Sequence, residues 1–216
     1  MAYTNTLPPA LEPLAERLRA HTIPAVADCE RPAAVLVPVV PGADDVDVLL
    51  IRRPDDLHEH AGQMACPGGS WDATDPTLWA TALREAEEEV GIPPGAVACV
   101  GPLPAVYIPR TRFTLVPFVG WLARRPVLRP EPREVAAAFW VPLGALRRTR
   151  RTVVRVRGGV TGPFPEFELA EGRVWGATAI FLDTLLALWP PAEVDRLMGE
   201  IGRTDGGAFR GDPAQD

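Results

Sequence analysis

GGSWDATDPTLWATALREAEEEVGI, residues 68–92, carries the pattern that decides the fold. Asp75 followed by Pro76 has the form of a helix start, an N-cap residue with proline at the first helical position, and Gly91 has the form of a helix end. The spacing predicts a helix from Pro76 to Gly91. Along it Trp79, Ala82, Leu83, Ala86 and Val90 recur at helical intervals and form the core face. Glu85, Glu88 and Glu89 stand at i, i+3 and i+4, which puts three carboxylates on one face. A run of glutamates on a helix is by itself commonly a solvated face. Three so close nevertheless repel by roughly a few tenths of a kcal/mol per pair, and a divalent cation such as Mg²⁺ or Mn²⁺, which takes oxygen ligands, is the natural compensation.

In context the segment resembles the Nudix box, G-x5-E-x7-R-E-U-x-E-E-x-G-U with U aliphatic. Gly69 fits the leading glycine, Arg84-Glu85-Ala86 the R-E-U triplet, Glu88-Glu89 the acidic pair and Gly91-Ile92 the end. Asp75 stands where the box has its first Glu, eight residues rather than seven separate it from Arg84, and Ala86 is small for its position. The stretch just before it, LLIRRPDDLHEHAGQMACPGG from Leu49 to Gly69, resembles the signature of the coenzyme A pyrophosphatase branch of Nudix hydrolases, L-L-T-x-R-S-x3-R-x3-G-x-V-x-F-P-G-G. Leu49, Leu50, Arg53, Gly62, Pro67, Gly68 and Gly69 match in register, while Ile51, Pro54, His58, Met64 and Cys66 depart. The resemblance to this branch accommodates both the Asp75 and the longer spacer, and it spans about Ala33 to Leu188.

The resemblance implies an α/β (α+β) Nudix-type α/β/α sandwich, with a mixed β-sheet between helices. It also implies metal-dependent hydrolysis of the pyrophosphate bond of coenzyme A or acyl-coenzyme A, giving 3′,5′-ADP and 4′-phosphopantetheine or its acyl form. The alternatives are a Nudix pyrophosphatase acting on ADP-ribose, NADH or another nucleoside diphosphate derivative, and a Nudix-fold binding module without catalysis. The intact acidic set from Arg84 to Glu89 speaks against the last. By resemblance Glu85, Glu88 and Glu89 hold the metal, one of them doubling as general base, and Arg84 orients a glutamate through a charge-assisted bond. Gly68 and Gly69 let the backbone approach metal and phosphate closely.

Substrate recognition is expected from Arg53, whose guanidinium fork matches the 3′-phosphate that coenzyme A carries and ADP-ribose lacks. Arg110 and Arg112, in the turn after Tyr107, are second choices. His58 stands at the signature's second arginine, either as a ligand or as an exposed loop residue. His21 and His60 read as surface, Cys66 and Cys99 as small core residues, and Trp71 as core or pocket wall.

Around this segment the chain of 216 residues, 47% hydrophobic, suits one full domain with appendages. Residues 1–30 read as a helical apron with Leu11, Leu14, Ala15 and Leu18 at helical spacing, 31–190 as the catalytic domain, and 191–216 as a helix end and disordered tail. Ala33–Val40 and Val46–Ile51 read as a hairpin of buried strands, Val97–Tyr107 and Phe113–Leu122 as two long strands, and Ala177–Leu188 as an apolar helix. Every one of the 22 basic residues is Arg, which removes Schiff-base lysines and the Walker lysine. A net charge of −6 and a pI near 5.2 exclude an ordinary nucleic-acid binder. The longest apolar stretch, Ala177–Trp189, is too short to span a bilayer and holds Asp183. With three cysteines and no leader pattern, the expectation is a cytoplasmic enzyme, monomer or homodimer, partnered by a small nucleotide-derivative substrate rather than by nucleic acid or membrane.

Overall fold

The computed structural model describes residues 6–55, 62–157 and 160–204. Two long strands, β1 (Arg31–Pro41) and β2 (Val46–Arg52), form the expected hairpin, with Val39 opposite Val48. Two short strands follow, β3 (Met64–Ala65) and β4 (Gly68–Ser70), and then helix α2 (Leu78–Val90), preceded in the chain by α1 (Glu12–Arg19). The expected strand from Val97 to Tyr107 is instead two, β5 (Val97–Pro102) and β6 (Val106–Ile108). Pro104, which has no N–H to give a sheet, falls in the gap. Next come β7 (Phe113–Leu122), β8 (Ala137–Pro142), α3 (Leu143–Thr149), β9 (Arg150–Arg157), β10 (Val160–Leu169), β11 (Gly172–Val174), α4 (Ala177–Leu188) and α5 (Pro191–Thr204).

The main sheet is mixed. β1 runs parallel to β7 from Arg31 opposite Phe113 to Val39 opposite Trp121, and the other pairings are antiparallel. β1 and β2 pair only over residues 39–41 and 46–48, then diverge. In the fork β4 takes over the edge of β1 at Ala33–Val35, and β3 takes over the edge of β2 at Ile51–Arg52. The Gly68–Gly69 segment is thereby held inside the sheet while the chain around it is free to form a site.

Alternation along the strands builds two cores. Val35, Val37, Val39, Val48 and Leu50 face one side with Leu14, Leu18, Leu182 and Leu185 of α1 and α4. Ala34, Leu36, Leu49 and Ile51 face the other with Leu78, Ala82, Ala86 and Val90 of α2. Burial on both faces explains why these strands read as continuous apolar runs, and the layers make the α/β/α sandwich. β9, β10 and β11 do not join the mixed sheet but form an antiparallel sheet of their own, whose Phe167 and Val174 close the first core.

At the N-terminus the helical segment with Leu11, Leu14, Ala15 and Leu18 packs on the main body as its spacing implies, while the C-terminal end departs from expectation. Leu11, Leu14 and Leu18 have no exposed surface, so the segment read as an apron is part of the first core. Residues 191–204 form a complete amphipathic helix rather than a helix end, with Val194 and Leu197 in the same core and Glu200 accepting from the Ala10 amide at 3.1 Å. The tail positions beyond 204 lie outside the described residues. No described helix is long and apolar enough to cross a membrane.

Candidate active site

α2 begins two residues later than Asp75-Pro76 predicts. Thr77 is the N-cap, its side chain accepting from the Ala80 amide at 3.1 Å, and Gly91 closes the helix in the left-handed conformation at φ 72. Asp75 is released from capping for another task. Arg84 Nε and Nη2 donate to its carboxylate at 3.1 and 3.0 Å, Nη2 also reaches Ser70 O at 3.1 Å, and Nη1 donates to Glu85 Oε1 at 2.9 Å and Glu88 Oε2 at 3.0 Å. One guanidinium thus ties the loop before the helix to β4 and to two glutamates of the helix. The bonds from Arg84 hold the Asp75 carboxyl below the usual carboxylate range, and Asp75 in turn raises Arg84.

The three glutamates of the box are unequal. Glu88 is 58% exposed, whereas Glu89 is 2% exposed and accepts from the Gly68 amide at 3.0 Å. Burial pushes the Glu89 carboxyl up to about 8, with Glu85 and Glu134 adding to the rise. Arg53, with Nη1 at 4.0 Å from Glu89 Oε1, is too distant to cancel it. Burial likewise raises Glu85, against the opposing pull of Arg84. Gly69 leaves the room that Glu85 fills, since a Cβ there would meet the Glu85 carboxylate at 2.5 Å.

The donor chemistry suits a divalent cation. Among the described residues, Asp75, Glu85, Glu88, Glu89 and Glu134 are faced by two guanidiniums, Arg84 and Arg53, so negative charge is in surplus there. All the donors are hard oxygens of the kind Mg²⁺ and Mn²⁺ take. With Arg84 holding Glu85 and Glu88, and Gly68 holding Glu89, no trio of His, Cys, Asp or Glu among the described residues converges as closely as an ion requires. Glu134, just before β8, was invisible to spacing arguments because it joins the acidic group only through tertiary structure.

Beside this group lies a cavity of about 290 Å³. Its floor is β1 and β4 (Ala33–Val35, Gly68–Ser70), and its far walls are Ile108, Phe113 and Leu115 of β6 and β7 and Ala177, Thr178 and Phe181 of α4. Arg53 and Gln63 line it too, as does Cys66, which is buried with its thiol pushed up by that burial. Arg110 and Arg112 are not among its lining residues. Both are exposed, and Arg112, at φ 60, pairs with Glu30 at 3.4 Å, while Ile108 and Phe113 on either side of the turn line the cavity. Trp71 packs toward the α2 core and donates from Nε1 to Asp75 O at 3.2 Å, so it is a structural residue. Cys99, expected in the core, is exposed on β5, where strand alternation turns it from the buried Ala98 and Val100. His58 and His60 lie outside the described residues; His21 is half-buried, its Nδ1 at 3.2 Å from Leu18 O.

The NUDIX domain family profile matches residues 30–157. The chain is 42% identical over 137 residues to an uncharacterized Nudix hydrolase, NudL, of Pectobacterium atrosepticum, covering 63% of this chain and 64% of that protein. To NudL of Cronobacter sakazakii it is 47% identical over 122 residues, covering 56% of this chain and 62% of that one. The matches thus span a little under two thirds of these relatives' lengths. A MutT/nudix family protein from Enterococcus faecalis shares the fold, with a TM-score of 0.53 at 16% identity over 90% of this chain and 81% of its own.

Proposed function

Since the chain belongs to the Nudix family, we propose that it hydrolyses the pyrophosphate bond of a nucleoside diphosphate derivative, and that this substrate is coenzyme A or acyl-coenzyme A. The observation that carries the reading is the double role of the Gly68–Gly69 strand. It contacts the carboxylates of Glu89 and Glu85 and also floors the cavity that can receive the substrate's organic arm. A divalent cation held by Glu85, Glu88 and Glu89 would shield the diphosphate from an attacking water and ease that water's deprotonation.

The protein's own groups prepare this chemistry. Arg84, anchored by Asp75, keeps Glu85 and Glu88 side by side. Glu89 is buried beside the Gly68 amide, and the burial that raises its carboxyl in the metal-free protein would be offset by a bound cation, which favours the carboxylate. Arg53 leans toward Glu89 rather than away from it, which favours a contact with the diphosphate itself. The apolar walls Ile108, Phe113, Leu115 and Phe181 suit the uncharged pantetheine or acyl arm better than a second ribose.

The test is a kinetic comparison of coenzyme A, acyl-coenzyme A, ADP-ribose, NADH and dinucleotide polyphosphates with Mg²⁺ or Mn²⁺. The expected result is the highest kcat/KM for a coenzyme A substrate and no turnover in excess chelator. A preference for ADP-ribose or NADH would overturn the substrate assignment, and full turnover in chelator would overturn the mechanism.

A further inference from the structure

The cavity beside the carboxylates is graded from rim to inner end. Arg53, Gln63 and Ser70 are half-buried or exposed, whereas Cys66 and Phe181 keep only 4% and 2% exposure. α4 repeats the gradient along one face. Ala177 is half-buried, Thr178 is nearly covered, and Phe181, one turn further on, belongs to the first core. Small residues open the space between them, Ala33 and Ala34 of β1 and Gly68 of β4.

Two physical properties limit what the inner end can take. It is dry: burial pushes the Cys66 thiol up, and among the described lining residues the charged one, Arg53, has a side chain 30% exposed. A carboxylate carried inward would lose its water with no cation to meet it. The inner end is also short. A volume of about 290 Å³ stands at the lower limit of small-molecule sites, roughly 300–1,000 Å³, and a ring packed in a core does not step aside at small cost.

We propose that Phe181 is a specificity-determining residue that ends the cavity, so that the protein selects coenzyme A with a free thiol or a short, uncharged acyl group and rejects long or carboxylate-bearing acyl groups. The assignment rests on the reading of the substrate as coenzyme A, with its diphosphate at the carboxylates and its arm in the cavity. The arm then starts at Gly69, beside Glu85, and its far end, thiol or thioester, is the part that meets Cys66 and Phe181. Every methylene beyond that point must displace packed core side chains or stay outside.

The experiment measures kcat/KM of the full chain for coenzyme A and its acetyl, butyryl, succinyl and octanoyl thioesters. Wild type should favour acetyl over octanoyl by about tenfold or more, the scale on which an apolar pocket discriminates chain length. It should likewise favour butyryl over succinyl, which has the same number of carbons and one more charge. Phe181→Ala should raise the octanoyl-to-acetyl ratio about tenfold. Phe181→Leu, which keeps an apolar side chain in the core, should move the ratio the same way by less. Melting temperatures verify folding, and the wild-type series and Phe181→Leu decide the matter if Phe181→Ala does not fold. Hydrolysis of all the thioesters at one rate overturns the inference and leaves the substrate reading standing. A wild-type preference for acetyl that folded Phe181 variants leave unchanged removes Phe181 as the determinant. Absence of turnover with every coenzyme A substrate, alongside turnover of ADP-ribose or NADH, overturns the substrate reading and this inference with it.

Discussion

Glu89 and Arg84 show how much single side chains of the acidic group differ once folded. Glu89 is buried, and its carboxyl is raised to about 8 against an ordinary value of 4.5. The fold therefore favours its protonated form. That contribution to stability is fully present below pH 4.5 and is lost as pH rises through about 8. In chelator, the melting temperature should fall between these limits, and Glu89→Gln should flatten the fall. The same variant should lose at least about a hundredfold in kcat while remaining folded, since it removes several kcal/mol of transition-state stabilisation. Equal turnover by folded variant and wild type at saturating metal would remove Glu89 from the mechanism. Arg84 donates to Asp75, Glu85, Glu88 and Ser70 at once, which a lysine's single ammonium cannot do. Arg84→Lys should therefore cost about tenfold or more in kcat/KM, measured in steady state; unchanged activity would mean that the glutamates need no such brace. The residue types at these positions were legible in the sequence from the spacing of Arg84, Glu85, Glu88 and Glu89. The burial of Glu89 and the exposure of Glu88 were not, because adjacent helix positions differ only in what the rest of the fold lays over them.

At the scale of elements, β4 is a three-residue strand that serves two purposes. Its two glycines face different neighbours. A Cβ on Gly68 would meet backbone, Ala34 O at 2.5 Å and Val35 Cα at 2.6 Å, whereas one on Gly69 would meet the end of the Glu85 side chain at 2.5 Å. Backbone in a sheet cannot step aside, but a carboxylate can. Gly68→Ala should therefore destabilise the protein by about 1–3 kcal/mol, the cost of overpacking, read from chemical denaturation. Gly69→Ala should keep most of its stability while losing activity through displacement of Glu85. If both variants lost stability equally, β4 would be purely structural. α2 illustrates what local patterns can and cannot say. Its length, its glycine stop and its buried Ala82, Ala86 and Val90 follow from periodicity, but its start at Thr77 depended on Arg84 drawing Asp75 away from the cap. Trp79 and Leu83, read as core, are only half-buried because the sheet beneath α2 covers a narrower stripe than the apolar face offers.

Across the whole molecule, helices from both ends of the chain seal one core. Leu14 of α1 and Leu197 of α5 have no exposed surface and belong to the same cluster as β1 and α4. Leu14→Ala or Leu197→Ala should each cost about 2–5 kcal/mol, as expected for a large-to-small change in a closed core. Each should also leave a single cooperative transition in denaturant. A separate early transition in either variant would show that the terminal helices unfold apart from the sandwich. The sequence by itself determined what depends on near neighbours: the α2 helix with its glutamates on one face, the buried strand runs of β1, β2 and β7, and the apolar α4. Tertiary structure alone decided the parallel pairing of β1 with β7, the fork that holds β4, the separate sheet of β9 to β11, and the meeting of Arg53, Gly68 and Thr178 around one cavity. The physical reason is separation along the chain. A period of 3.6 or 2 is written into consecutive side chains, whereas Gly68 and Thr178 become neighbours only when strands and helices far apart in sequence exclude water between them.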